Sequence, residues 1–442
     1  MSSTVLLLFL VILIWGFPFI FSVLVNRVNI LHPTTFFPLL VIMSTISSVS
    51  EKIYGWSEKF EHKGLRFKTS EYLLESYNYP LFLLALSGLF YMLGIFLYRK
   101  KILPERIILY NFNPNKNKLI FFKTIFLLIF LTAPILFFGI DSGFFFTTAF
   151  YTSVFYFPII LFTRGVKSGI TLGIFIFILF LLFTTISPSF SSKTYVIVFF
   201  TSIVMFFLMK NQNIFKYFSL RMVMLYIVII FSLNYTISSI QTMRGDEYSS
   251  PIYQLFYREY GFDMFTILVN ENDFVHKNIN WGALEFNELI PGKIASLLGF
   301  SKGNAGLTVV EYFLEDEFCD ETLGDCSSKV ANLGNNRITS VYRHFLFFPF
   351  FDYGLKGIIF ASFIIGYINS ICYSWGVKKY YQFKDPIYLI SIFPIIINMH
   401  YILNGAYAIA IMHMVITHFI IRYFFLYSGD KNVMKKKLSS EK

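Results

Sequence analysis

Apolar runs of about 17–22 residues recur along the chain, separated by short polar connectors, and one long polar stretch interrupts them. Runs of that length match the hydrocarbon thickness of a bilayer when coiled as helices. Backbone in lipid must satisfy its own hydrogen bonds, so each run is expected to be helical. The ten-residue alternation of a membrane β-barrel is absent. Eleven spans are expected, at about 4–25, 33–49, 80–98, 119–140, 143–163, 169–187, 194–209, 223–240, 354–375, 387–403 and 406–427. The predicted architecture is an all-α polytopic membrane protein with a helical bundle over 1–240, a large loop over 241–353, three further helices over 354–427 and a basic tail over 428–442. The first run lacks a small-residue cleavage signal after it and is expected to stay as a membrane anchor.

Composition strengthens this picture. Of 442 residues, 56% are hydrophobic and only 14% charged, with a mean hydropathy of +0.61, which leaves too little polar surface for a soluble domain. The net charge of +11 would suggest nucleic acid in a soluble protein. Here its distribution gives a different account. Loops 26–32, 99–118, 164–168, 210–222 and 376–386, with the tail from 422, hold 21 Lys and Arg against four acids. The long loop holds eight Lys and Arg against 16 of the chain's 26 acids. The positive-inside bias then puts the basic loops and Lys435-Lys436-Lys437 in the cytoplasm and the long loop outside, with no nucleic-acid partner.

Loop 51–79 falls on the outer side by the same parity, either as a solvated connector or with TSEYLLESY lying on the bilayer surface. Residues 247–269 mix aromatic and aliphatic positions with charges, a composition suited to helices pressed on the membrane interface. Residues 285–314 are broken by Pro291, Gly292, Gly299 and Gly303, and short helices with irregular backbone are expected there. Cys372 sits in a span and reads as an apolar filler. Cys319 and Cys326 bracket CDETLGDC, either as a local disulfide staple or as two thiols. No spacing suits a zinc site, and neither a metal nor a cofactor is expected.

Spans carry no Asp or Glu near a midplane, which argues against ion-coupled transport. Chemistry is therefore sought at the loop ends. Arg244, in SSIQTMRGDEY, lies beside the end of span eight, where a guanidinium is suited to bidentate phosphate pairing. The alternative is an interfacial arginine neutralised by Asp246 or Glu247. Arg258 and Glu259 follow in the same loop. The run NNRITSVYRHFLFFPFFDYGLKG, 335–357, leads into span nine with Arg337, Arg343, His344 and Asp352. If helical, it puts Arg337 and His344 on one face, two turns apart, with Arg343 about 60° away. The competing reading is a re-entrant aromatic helix with solvated ends.

At this run the sequence resembles the oligosaccharide repeat-unit polymerases, the Wzy-type O-antigen polymerases. The matching residues are Asn336, Thr339, Asp352, Tyr353, Gly354 and Gly357, together with Arg244-Gly245 after the preceding span. Chain length, a span count near twelve and one large late loop are also similar to that family. Arg337 and Ile338 stand between the Asn and the Thr, a departure in register. The motif covers about 40 residues.

The resemblance implies a GT-C-like glycosyltransferase of the bacterial inner membrane, acting in lipopolysaccharide biosynthesis. It would join undecaprenyl-pyrophosphate-linked oligosaccharide units, as donor and acceptor, on the periplasmic face, with a chain-length regulator protein as a candidate partner. Arg244, Arg258, Arg337 and Arg343 would hold the pyrophosphate. Asp352, Glu259 and His344 are the candidates for the base that receives the acceptor's proton. An O-antigen ligase shares this logic and differs in its acceptor. A lipid-linked oligosaccharide flippase, from another class, would be expected to carry its cations in a midplane cavity.

Overall fold

The computed structural model describes residues 3–24, 32–54, 77–99, 261–270 and 344–383, with isolated positions at 388, 402, 410, 411 and 415. All regular structure among the described residues is helical: α1 (Ser3–Leu24), α2 (Phe36–Tyr54), α3 (Asn78–Arg99), α4 (Gly261–Asn270) and α5 (Phe347–Phe383). Three of these, over Ser3–Phe21, Asn78–Tyr98 and Phe347–Gln382, are long and apolar enough to cross a membrane. The expected spans at 119–240 lie outside the described residues, as do those at 387–427 apart from the isolated positions.

α3 is the central element, packed against α1, α4 and α5. Its start is tied to the start of α1, because Asn78 Nδ2 donates to Ser3 Oγ at 2.9 Å and Thr4 Oγ1 donates to Asn78 Oδ1 at 3.0 Å. Further along, Gly88 faces Ile14 and Trp15, and Trp15 Nε1 donates to the Leu84 carbonyl at 2.9 Å. The two helices therefore run parallel. α5 also begins where α3 begins, since Phe350 packs on Phe265, whose neighbour Phe262 stacks on Tyr77. Farther along, Gly366 of α5 meets the Tyr91 backbone, 13 residues into α3.

Parallel α1 and α3 require a return segment, and α2 lies in that interval. It differs from the expected span at 33–49: its apolar portion is only Phe36–Ile46. At 1.5 Å per residue that portion is roughly 16 Å long, too short to cross alone. Within α2, Ser44, Thr45 and Ser48 are buried, and Thr45 Oγ1 donates back to the Val41 carbonyl at 2.7 Å. α5, by contrast, is longer than the expected 354–375.

Lipid is as apolar as a side chain, so burial alone does not drive these helices together; close fit and internal polar contacts do. The closest fit is between α3 and α5. A Cβ on Gly94 would overlap the Phe363 carbonyl, and one on Gly366 would overlap the Tyr91 carbonyl. Tyr91 then links four elements at one level. Its ring lies 5.2 Å from those of Trp15 and Phe37. Phe345 closes the cluster, 5.5 Å from Phe37 and 6.1 Å from Trp15. Each such ring pair adds about 1 kcal/mol beyond its area. The Tyr91 hydroxyl donates to the Pro33 carbonyl at 2.8 Å and takes a long contact, 3.5 Å, from Asn369 Nδ2.

Gly94→Val and Gly366→Val are expected to lower the melting temperature of the detergent-purified protein sharply. Gly16→Ala, whose added carbon meets only the flexible tips of Ile42 and Ile20 at 3.4 and 3.6 Å, is expected to be nearly neutral. Equal shifts in all three would mean that the α3–α5 crossing is not the closest contact of the bundle.

Candidate functional site

The run that leads into span nine forms a folded-back corner. Phe347 begins α5 after His344, Phe345 and Leu346, and Pro349 sits in the first turn, where its missing N–H leaves no intrahelical bond unmade. Helical geometry breaks at Gly354, with φ 57° and ψ −140°. The left-handed φ favours glycine there. Beyond it the chain turns back on itself. A Cβ on Gly357 would overlap the Pro349 carbonyl, whereas eight residues of straight helix span about 12 Å. The matched residues Asp352, Tyr353, Gly354 and Gly357 are thus the parts of one corner: Gly354 makes the turn and Gly357 lets the arms meet. Tyr353, at the tip, is 70% exposed, and Asp352 beside it is half-buried.

The inner end of the short arm is anchored by His344. Its carbonyl accepts from Phe347 N–H at 2.9 Å, and its ring Nδ1 accepts from Leu346 N–H at 3.3 Å. His344 therefore heads the turn that leads into α5, its ring accepting from the N–H two residues on, a role normally filled by Ser, Asp or Asn. An accepting Nδ1 places the proton of the neutral ring on Nε2. Around the ring stand Phe345 at 4.5 Å, Phe265 at 5.4 Å and Phe262 at 5.5 Å. Among the described residues Nε2 finds no hydrogen-bond partner. Burial in this aromatic enclosure opposes the imidazolium and pushes the pKa down from 6.5 to about 3.

These facts change the expectation for His344. It stands just before the helix, and it is buried instead of standing on an outer surface. The physical reason is composition: the FLFFPFF that follows it packs against Phe262 and Phe265, and the ring is drawn in with them. The re-entrant aromatic reading describes 344–353 better. Of the other site residues, Arg244, Arg258, Glu259, Arg337 and Arg343 lie outside the described residues, as do Gly245, Asn336, Thr339, Cys319 and Cys326. Within 247–269, the described part, α4, is helical and buries Phe262, Phe265, Thr266 and Val269 against the bundle. Cys372 packs beside the core, as an apolar filler would.

A second histidine, which the sequence reading passed over, is built the same way. His32 Nδ1 accepts from Thr34 N–H at 3.2 Å, and its carbonyl accepts from Thr35 N–H at 2.8 Å and Phe36 N–H at 3.2 Å. It caps α2, and its ring rests on Tyr373 at 4.9 Å. The signal was present as HPTTFF: a capping residue, then Pro at the first helical turn, ahead of an apolar run. Nearby, Ser370 and Ser374 of α5 and Thr35 keep hydroxyls with no hydrogen-bond partner.

A group held neutral by burial makes stability depend on pH with a definite sign. His344 keeps its pKa near 6.5 when unfolded, so its contribution is intact above that pH and is lost as pH falls towards about 3. The loss is about 1 kcal/mol per pH unit below 6.5. Thermal melts between pH 7 and 4.5 are expected to fall more steeply for the native protein than for His344→Asn, which cannot take up the proton. Parallel curves would show that the ring is already open to solvent.

No protein-family profile, curated protein or solved structure matches this chain.

Proposed function

We propose that this chain is a membrane glycosyltransferase that polymerises undecaprenyl-pyrophosphate-linked oligosaccharide units on the periplasmic face of a bacterial inner membrane, in O-antigen biosynthesis. The single observation that carries the reading is the corner at Asp352–Gly357. Four residues that match the polymerase pattern serve one local structure, at the point where the long polar loop rejoins the apolar helices. Such a corner puts a carboxylate and an exposed aromatic ring at the end of a bundle, which is where a lipid-linked sugar would reach them.

In the proposed reaction a hydroxyl oxygen of the acceptor sugar attacks the anomeric carbon of the growing chain. The bond from that carbon to the pyrophosphate oxygen breaks, and undecaprenyl pyrophosphate departs with the electron pair. The hydroxyl proton passes to a base. His344 is ill suited to that role because its ring is enclosed and resists protonation. Asp352 and Glu259 remain as candidates. Arg244, Arg258, Arg337 and Arg343 would carry the charge that develops on the leaving group, and guanidinium groups fixed before reaction stabilise it without reorganisation. Tyr353 offers a face on which a sugar ring can stack.

Arg244→Ala and Asp352→Asn are each expected to insert normally yet reduce long-chain glycan at least about a hundredfold, the usual scale for losing a charge-stabilising or proton-accepting group. Lipid-core carrying a single repeat unit would persist, read as one band on a lipopolysaccharide gel. Loss of that single band as well would point to the ligase or flippase reading. A normal ladder in a strain lacking the chain would remove the proposal altogether.

A further inference from the structure

We propose that His344 is a positioning residue: its unprotonated ring, by capping the arm Phe347–Tyr353, sets where the corner bearing Asp352 and Tyr353 stands at the end of the bundle. The inference rests on the functional reading above only in assigning that corner to the reaction. Its own support is geometric. The arm is only seven residues long before Gly354 breaks it, so it has few internal hydrogen bonds to hold it and depends on its ends. One end is the corner, fixed by the contact between Gly357 and Pro349. The other is His344, which satisfies the N–H groups of Leu346 and Phe347 with its ring and its carbonyl.

Those same two bonds explain why the residue lies where water does not reach. The N-terminal N–H groups of a helix that starts inside an apolar bundle cannot be left to solvent. A short acid would cap them but would carry its charge into a shell of phenylalanines, at a large desolvation cost. A neutral imidazole accepts the same bond without that charge. Its faces and edges also fill space against Phe262 and Phe265, so the loop helix α4 and the arm are locked to one another through this ring. Phe265 touches Phe350 on the arm as well, which gives α4 two points of purchase. Any shift of the His344 ring is then passed to both the arm and α4.

The test separates a cap from a base. In the full-length chain, with Cys319, Cys326 and Cys372 replaced by Ser, Tyr353→Cys supplies a thiol at the exposed tip, and its labelling by a membrane-impermeant maleimide reports where the corner stands. His344→Asn keeps an acceptor at the Nδ1 position but has no ring nitrogen to serve as a base. His344→Leu keeps the bulk and has no acceptor. His344→Asn is expected to retain the labelling of its Tyr353→Cys parent and, in a chain that keeps Tyr353, a native glycan ladder. The ladder of every His344 variant is read in chains that keep Tyr353. His344→Leu is expected to change the labelling rate by about fivefold or more, the scale of one lost cap, and to collapse the ladder. If Asn and Leu are equally inactive while both label like the Tyr353→Cys parent, the ring itself does chemistry and the proposal falls. If Leu leaves labelling and ladder unchanged, the cap positions nothing and the proposal falls also. A normal ladder in a strain lacking the chain would overturn the functional reading instead, and the labelling rates would still decide the cap.

Discussion

A backbone N–H or carbonyl that is shut away from water must find a partner inside the protein, and this requirement governs the described part of the bundle. Two helices, α2 and α5, start among packed side chains instead of at a wet surface. Each is begun by a histidine whose ring nitrogen and carbonyl take the first free N–H groups. The Pro33 carbonyl, left over beside the α2 cap, is taken by the Tyr91 hydroxyl. The Trp15 indole N–H goes to the Leu84 carbonyl. Each of these bonds adds only about 1 kcal/mol net, whereas a partner left unpaired costs more. The polar contacts therefore act mainly by excluding other arrangements.

Where polar contacts fix the register, small residues fix the distance. Gly94 and Gly366 bring the backbones of α3 and α5 together, and the aromatic rings of Trp15, Phe37, Tyr91 and Phe345 fill the space beside that crossing. The outward faces are simpler. Leu6, Phe9, Leu13 and Phe17 of α1, and Phe360 and Ile364 of α5, are exposed apolar side chains of the kind that face lipid. The candidate corner then stands on a rigid base, because α5 is held to α3 only nine residues beyond Gly357.

The placement of His344 sets two readings of one residue side by side. A titratable ring beside arginines in sequence invites a role in proton transfer. Enclosed by phenylalanines and engaged at Nδ1, the same ring acts as a neutral hydrogen-bond acceptor. At the far end of the arm stand Asp352 and Tyr353, and in the positioning role proposed above the histidine acts on them through seven residues of helix.

Apolar length and turn chemistry were readable along the chain. The helices at Ser3–Leu24 and Asn78–Arg99 follow from continuous apolar runs bounded by polar residues, whereas the glycines of DYGLKG stood out only through a family resemblance, and their part in a backbone corner came from the fold. Other features have no linear signature. The burial of Ser44, Thr45 and Ser48 within α2 is one, because these residues are spaced among apolar neighbours and nothing local says which of them meets protein. His344 looked surface-exposed because the rings that enclose it, Phe262 and Phe265, lie some eighty residues away in sequence. Local pattern determines which segments coil and where they stop, since those depend on neighbours a turn or two distant. Which side chains leave water, and hence which can carry a proton, depends on contacts between distant segments, and tertiary packing alone decided that.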